Sequence, residues 1–314
     1  MPAVVARAPA RIDFGGGWTD VPPYTVEEGG CVCNVAIARY ATVRMCAGAA
    51  GVSVDADDEA LPRAALRRAR VDRVAVSLRS DFPRGAGLGG SSSAGVALQA
   101  AIAAWRGEAL TGATLAERSR AVEVEELRVP GGSQDHYAAA LGGALALRFG
   151  ATVEARRIPL SLERRTALER QCSVVYTGES RISGQTITAV LDAYRAREPG
   201  VTSALRHMKA LAGQMIEVLS DGSLDELGTL VAEHWEHQRS LHPRITTDGI
   251  EQVLRAARAA GAIGGKALGA SGGGSVLVIA PAERADAVRG AVAAVAQLLP
   301  FTIDEEGARV VGGE

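Results

Sequence analysis

Residues 83–95, PRGAGLGGSSSAG, decide how the chain is read. Five of these thirteen residues are glycine and three are serine, which leaves almost no side chain to bury and rules the stretch out as a core element. It lies between an alternating run at 73–79 (RVAVSLR), which predicts a strand, and an apolar run at about 91–105, which predicts a helix. Glycine tolerates positive φ, so successive N–H groups can converge on one concavity. The helix that follows adds its unpaired amides and the positive end of its dipole. Phosphate is the natural guest of such a cradle.

Rival readings fit less well. Gly85, Gly87 and Gly90 match a dinucleotide-binding G-x-G-x-x-G, but that motif needs a second strand straight after the helix, and here Gly107 and another helical stretch follow. Ser92 in GSSSA nearly fits a nucleophile elbow, which would have to turn sharply off a strand; irregular residues intervene. A Walker A loop needs a lysine after its glycines, and none is there. A plain surface loop remains as the bland alternative. Lys209 and Lys266 are the only lysines among 34 basic residues, so cationic chemistry falls on arginine or on one of these two.

A length of 314 residues suits about two domains. With 47% hydrophobic and 22% charged residues the composition is that of a soluble globular protein. A net charge of −2 supplies no field for nucleic acid or an anionic membrane, and 4% aromatics are too few for a base-stacking platform; small-molecule partners are expected, with a homodimer possible. Cys31, Cys33, Cys46 and Cys172 form no C-x-x-C pair, and two of them alternate along a strand-like run, as buried reduced thiols would. With no leader-like N-terminus and no apolar run near membrane length, a cytoplasmic location is expected.

Along the chain, strands are predicted at 3–14, 31–45, 73–79, 144–149, 152–158, 173–176 and 275–280, with further strands at the terminus. Residues 46–72 read as a polar link. Helices are predicted at about 91–105, 114–127 (Thr114 as N-cap, Glu117 closing a capping box), 184–197, 201–219, 223–240, 248–260 and 282–297, with a short one carrying Ser133 to Tyr137. The order implies two α+β domains meeting near 150–170.

Three glycine-rich turns and one short acidic helix call for a common reason. Phosphoryl transfer supplies it, because that chemistry needs a phosphate cradle, Mg²⁺, a cation at the γ-phosphate and a carboxylate near the attacking hydroxyl. The same stretches resemble a known family. PRGAGLGGSSSAG is similar to the second motif of the GHMP kinases (galactokinase, homoserine, mevalonate and phosphomevalonate kinases), ARAPARIDFGGGWTD (6–20) to their first, and GGKALGASGGGSVLV (264–278) to their third, in the family's order.

The resemblance implies an α+β, two-domain GHMP kinase fold: a ribosomal-protein-S5-like N-terminal domain over 1–160, a ferredoxin-like C-terminal domain over 161–314, and the site between them. It implies that Gly85, Gly87, Leu88, Gly89, Gly90, Ser91 and Ser92, with Gly272 and Gly273, bind ATP. Ser91 and Glu125 would hold Mg²⁺, Glu123 and Glu126 being neighbouring candidates. Asp135 would be the catalytic aspartate and Arg11 its partner at the γ-phosphate, neutralising charge that develops there. Asp20 would meet sugar hydroxyls, with Trp18, Gly132, Thr177, Gly178 and Arg181 nearby. Read without the family, the three glutamates would equally suit a solvated face, Asp135 a helix-dipole carboxylate, Arg11 a surface strand and Asp20 a turn. His234 and His237, three apart on a helix, would make a metal pair only with a third ligand.

Within the family, GGSQDHYAAALGG, YTGESRISGQ and HWEHQRSLHPRITTDGIE resemble sugar 1-kinases acting on D-glycero-D-manno-heptose 7-phosphate, whereas Trp18 in GGWTDVPPY resembles the fucokinases. The expected reaction is ATP-dependent phosphorylation of an anomeric hydroxyl. Heptose 7-phosphate is the expected acceptor and L-fucose or a related free hexose the alternative, with a non-catalytic sugar and ATP sensor as the rival of another class. The short run after the third motif favours the heptose, since such fucokinases often form part of a longer bifunctional chain. The substrate phosphate would then need arginine, Arg181 first and Arg244 second.

Overall fold

The computed structural model describes residues 3–48, 51–179 and 184–312. The first half contains β1 (Val4–Gly15), α1 (Tyr24–Glu28), β2 (Gly30–Ala47), β3 (Val52–Asp55), α2 (Ala60–Ala69), β4 (Val74–Ser80), α3 (Gly90–Trp105), α4 (Gly112–Ala121), a π-helical turn (Val122–Glu126), α5 (Gln134–Leu141), β5 (Ala144–Phe149) and β6 (Val153–Ile158). The second half contains α6 (Leu162–Gln171), β7 (Cys172–Tyr176), α7 (Gly184–Arg195), α8 (Pro199–Asp221), α9 (Leu224–Ser240), α10 (Asp248–Ala259), β8 (Gly264–Ala267), β9 (Ser275–Ile279), α11 (Ala285–Ala293), β10 (Gln297–Leu298) and β11 (Arg309–Gly312).

Seven strands form the first sheet, in the order β11-β1-β2-β4-β3, with β5 and β6 branching from β2. The branch exists because β2 is long: its early residues, Gly30 to Val35, pair with β5, and its late ones, Ala41 to Ala47, with β4. Pro9 lies inside β1, where it cannot donate a ladder hydrogen bond, and the register with β2 shifts directly after it. The carbonyl of Pro9 accepts from the Ser93 hydroxyl of α3. That helix is buried almost throughout from Ser92 to Ala103, consistent with its small apolar composition and lack of a polar face. The second sheet, β10-β7-β9-β8, is antiparallel, and α6, α9, α10 and α11 pack on it, whereas α8 lies against β1 and β2 of the first sheet. All four cysteines are free, three of them buried. Among the described residues no helix is long and apolar enough to cross a membrane.

Several sequence expectations change. The polar link contains β3 and α2, whose Leu61, Ala64, Ala65 and Leu66 form a buried stripe beneath a charged surface. The predicted 114–127 helix starts earlier, with Thr111 as its N-cap accepting from the Thr114 amide, and it ends in the π turn. Pro199 opens α8 at its first helical position, where a missing N–H costs nothing. The tail does not stay with the second half: β11 pairs with β1, the Ala38 amide donates to Thr302 O, and the Asp304 amide donates to Ala36 O.

Candidate active site

Arg11 points inward from the middle of β1 and is 3% exposed, which excludes a surface arginine. Its Nε donates to Asp135 Oδ1 at 2.7 Å and its Nη2 to Oδ2 at 2.9 Å, the two-pronged match of guanidinium to carboxylate. Its Nη1 donates to the carbonyl of Gly87 at 2.6 Å, and its backbone amide to that of Leu88 at 3.1 Å. Asp135 stands in the first turn of α5, where the helix dipole favours an anion, and its side chain stays 26% exposed. A carboxylate offers about four lone-pair sites, so one on the open side can still accept a hydroxyl proton.

The glycine loop wraps this pair. Gly85, Gly87 and Gly89 have φ of 70°, 73° and 73°. A Cβ at Gly87 would stand 2.6 Å from Leu268 O, and one at Gly89 3.2 Å from the Asp135 carboxyl, so both positions need glycine for backbone and space alike. Gly90 lies against the Phe82 ring, and Leu88 is buried. The Ala86 amide donates to Pro83 O and the Ser93 amide to Gly89 O; between them the amides of residues 87–92 have no acceptor among the described residues. Six consecutive free donors at a helix N-terminus fit the phosphates of a nucleotide.

The third glycine segment acts as a prop. Ser275 N donates to Ala86 O, Gly272 N to Ile245 O and Gly274 N to Glu179 O, each at 2.8 Å, so the Gly272 amide is already committed inside the protein. Gly273 has a φ of 126° and packs against Glu179. The Thr177 hydroxyl donates to Gly274 O and accepts from Glu179 N, while Gly178 is open on its Cβ side.

Ser91 does not face Glu125. Its hydroxyl donates to Glu123 Oε1 at 2.5 Å, whose other oxygen accepts from His136 Nε2 at 2.9 Å. Glu125 is 60% exposed and pairs with Arg68, as does Glu126. Of the three glutamates it is Glu123, not the expected Glu125, that faces Ser91, and the wider winding of the π turn breaks the α-helical periodicity of this stretch. Burial would raise the Glu123 carboxyl, but the hydrogen bond and charge of His136, with the Ser91 hydroxyl, outweigh it and hold the group below the ordinary glutamate range. Ser91 and Glu123 offer hard oxygens, and among the described residues no group of three or more His, Cys, Asp or Glu could form a metal cage. Two protein oxygens beside a phosphate cradle fit Mg²⁺, which is usually shared with substrate phosphates.

Asp20 is buried, and its Oδ2 accepts from the Gln134 amide at 3.0 Å, next to Asp135. Burial pushes its pKa up to about 6; the Gln134 N–H opposes this, and the charges of Asp135 and Asp13 add to it. Any Cβ at Gly132 would collide with the Asp20 carboxylate, so Gly132 shapes the site by absence. Trp18 joins the apolar cluster of Tyr24, Val175, Val190 and Tyr194. Arg181 lies outside the described residues, and Arg244 is exposed with no ion pair among them.

Sequence reasoning missed the groups that grip the first motif from the second half. Lys266 is fully buried on β8 and donates to Asp13 O and Oδ2 at 3.0 Å each. Burial lowers its pKa, against the pull of Asp13. His234 Nε2 accepts from the Gly16 amide at 2.9 Å, and its pKa falls well below the ordinary value through burial and the nearby Lys266. It is therefore a neutral acceptor in the core, while His237 stacks on His207, so the two do not converge on a metal. The scarcity of lysine was the one signal that singled out Lys266.

Residues 59–143 match the model of the GHMP kinases N terminal domain, and residues 215–297 that of the GHMP kinases C terminal domain. The bifunctional fucokinase/GDP-fucose pyrophosphorylase of Arabidopsis thaliana is 28% identical over 90% of this chain, which spans only 30% of that relative's length. The D-glycero-alpha-D-manno-heptose 7-phosphate kinase of Campylobacter jejuni is 23% identical over 98% of this chain and 99% of its own. The crystal structure of a D-glycero-D-manno-heptose 1-phosphate kinase from Bacteriodes thetaiotaomicron superposes with a TM-score of 0.81 at 23% identity, covering 98% of this chain and 99% of that one; it establishes the fold.

Proposed function

The chain belongs to the GHMP kinases, and on that premise we propose that it phosphorylates the anomeric hydroxyl of a sugar, D-glycero-D-manno-heptose 7-phosphate before others, at the expense of ATP. The observation that carries this reading is the triple contact of Arg11, which holds Asp135 with two donors and the rim of the glycine loop with a third. A sensor without turnover would have no use for a carboxylate held this way at the mouth of a phosphate cradle.

In the reaction, Asp135 accepts the proton of the attacking hydroxyl, and Arg11 keeps that carboxylate oriented while countering charge on the transferred group. The amides of residues 87–92 hold the nucleotide phosphates. Ser91 and Glu123 would hold Mg²⁺, whose part is to neutralise phosphate charge. Asp20 accepts from sugar hydroxyls in its ionised form. Gly272, Gly273 and Thr177 keep the loops in place.

Two observations bear on the sugar. Similarity to the Campylobacter relative runs along nearly the whole chain, and the bulk of Trp18 is taken up by an apolar cluster, which weakens the case that it narrows the pocket against a seven-carbon chain. L-Fucose is the second reading, favoured by similarity to the Arabidopsis relative. ATP consumption measured as kcat/KM for heptose 7-phosphate, mannose 6-phosphate and fucose decides between them. A preference for fucose overturns the heptose assignment, and no turnover with any sugar overturns the sugar-kinase reading.

A further inference from the structure

We propose that His136 is a positioning residue for the metal site: it fixes which oxygen of Glu123 is turned toward Ser91 and ties that carboxylate to the helix carrying Asp135. The inference rests on Ser91 and Glu123 as the holders of Mg²⁺.

A glutamate carboxylate turns about a broad, nearly two-fold torsion, so its backbone alone does not determine which oxygen it presents. In this site the choice is made by neighbours. His136 Nε2 takes Oε2 at 2.9 Å and leaves Oε1 to Ser91. The imidazole is itself locked. Its Nδ1 meets the Ser119 hydroxyl of α4 at 3.0 Å, and Nε2 also approaches the Ser92 hydroxyl of α3 at 3.3 Å. Since a carboxylate only accepts, Nε2 carries a proton, and the Ser119 hydroxyl occupies the other ring nitrogen. Ser119 reaches its place because α3 has Gly95 opposite, where any Cβ would collide with the hydroxyl.

Three elements besides its own α5 thus hold one ring that is 1% exposed. Hydrogen bonds of this kind give little net stability compared with an apolar side chain of similar shape, so stability alone is a poor reason for burying an imidazole here. Its position supplies a better one. His136 follows Asp135 directly on α5, so one short helix aims the proton acceptor at Arg11 and a clamp at Glu123. A shift of α5 would move both.

Mn²⁺ serves as the probe, titrated by electron paramagnetic resonance against the full-length protein saturated with ADP, so that no turnover is read. His136→Leu should weaken Mn²⁺ binding about 10- to 100-fold, the usual effect of removing a partner that orients a ligand. His136→Gln, whose amide reaches as far as Nε2, should recover most of that loss, and Ser119→Ala should lose a smaller factor. A purely structural role predicts a lowered melting temperature with unchanged Mn²⁺ affinity in His136→Leu, and that result overturns the proposal. Should His136→Leu not fold, His136→Asn, whose amide stops short of Glu123, takes its place with the same two outcomes. Glu123→Gln separates the layers. If it binds Mn²⁺ normally, the metal reading fails; if it loses Mn²⁺ while the His136 variants do not, only the positioning role fails.

Discussion

Arg11 and Asp135, 124 positions apart, meet through two parallel hydrogen bonds of 2.7 and 2.9 Å, and the same guanidinium reaches Gly87 O. The Asp135 carboxylate and the rim of the glycine loop are thereby held at a fixed offset by one planar group. On the proposed function, a nucleotide seated in the loop would find the carboxylate already placed, which is the preorganisation that phosphoryl transfer depends on.

Asp135→Asn should keep nucleotide affinity, measured by titration with a fluorescent analogue, and lose about 10²- to 10⁴-fold in kcat. Full turnover in this variant would make Asp135 a structural carboxylate and send the search for the base elsewhere.

Arg11→Lys should be far from conservative. An ammonium cannot donate in parallel to both oxygens of Asp135 and also span to Gly87 O, and loss of a preorganised donor of this kind costs about 10²- to 10³-fold in kcat. Steady-state kinetics beside a thermal melt separate this from simple unfolding.

Asp20 should make the protein sensitive to pH near 6. Its pKa is raised from 3.8 to about 6, so between those values the folded state keeps a proton that the unfolded chain has released. Stability from this group is therefore greatest below about pH 4 and declines as pH rises through 6, by about 3 kcal/mol in all. The stability of Asp20→Asn relative to the parent should accordingly grow from pH 4 to pH 7 in denaturant titrations. For the parent, kcat/KM for the sugar should rise through about pH 6 as the acceptor ionises. A relative stability that does not change with pH would mean that Asp20 is not raised.

Lys266→Met should cost about 3 to 5 kcal/mol, because it strands a buried Asp13 without its counter-charge. Denaturant titration measures this, and adding Asp13→Leu should recover most of the loss. If the double variant is no better than the single, the pair is not coupled as the geometry requires.

Glu125→Gln should leave the Mg²⁺ dependence of turnover unchanged, since its exposed pairing with Arg68 amounts to about 1 kcal/mol at most. A shifted Mg²⁺ midpoint would return the metal contact to Glu125.

What could be read in the sequence was local. The glycine loop, the flanking strand and helix, and the placing of Asp135 at the head of a short helix all depend on residues close together in the chain, and all were found. Helix α2 reads as a polar link because its three arginines and Pro62 interrupt a buried stripe that holds only two large apolar residues, Leu61 and Leu66. The resemblance points to the stretch holding Glu123, Glu125 and Glu126 without separating them, and the π turn that sets which of them faces Ser91 has no sequence signature. The bond from Lys266 to Asp13 spans 253 positions and leaves no local pattern at all. His136 passed unremarked inside a motif whose aspartate drew the attention, although a histidine among buried alanines was a visible oddity.

The pairing of β11 with β1 has a consequence for the order in which the molecule can be made. The amide of Ala308 donates to Ala140 O near the end of α5, and the Gly143 amide that follows this helix donates to Asp304 O at 2.6 Å. Asp304 in turn accepts from the Tyr40 hydroxyl and from the amides of Glu306 and Gly307. A nascent chain that has reached residue 300 already contains Arg11, Asp20, Ser91, Glu123 and Asp135, yet the edge of β1 is open and the helix bearing Asp135 lacks its brace. Translation thus delivers the candidate site residues before the strand that braces them, and the first sheet is closed by residues made after the whole of the second.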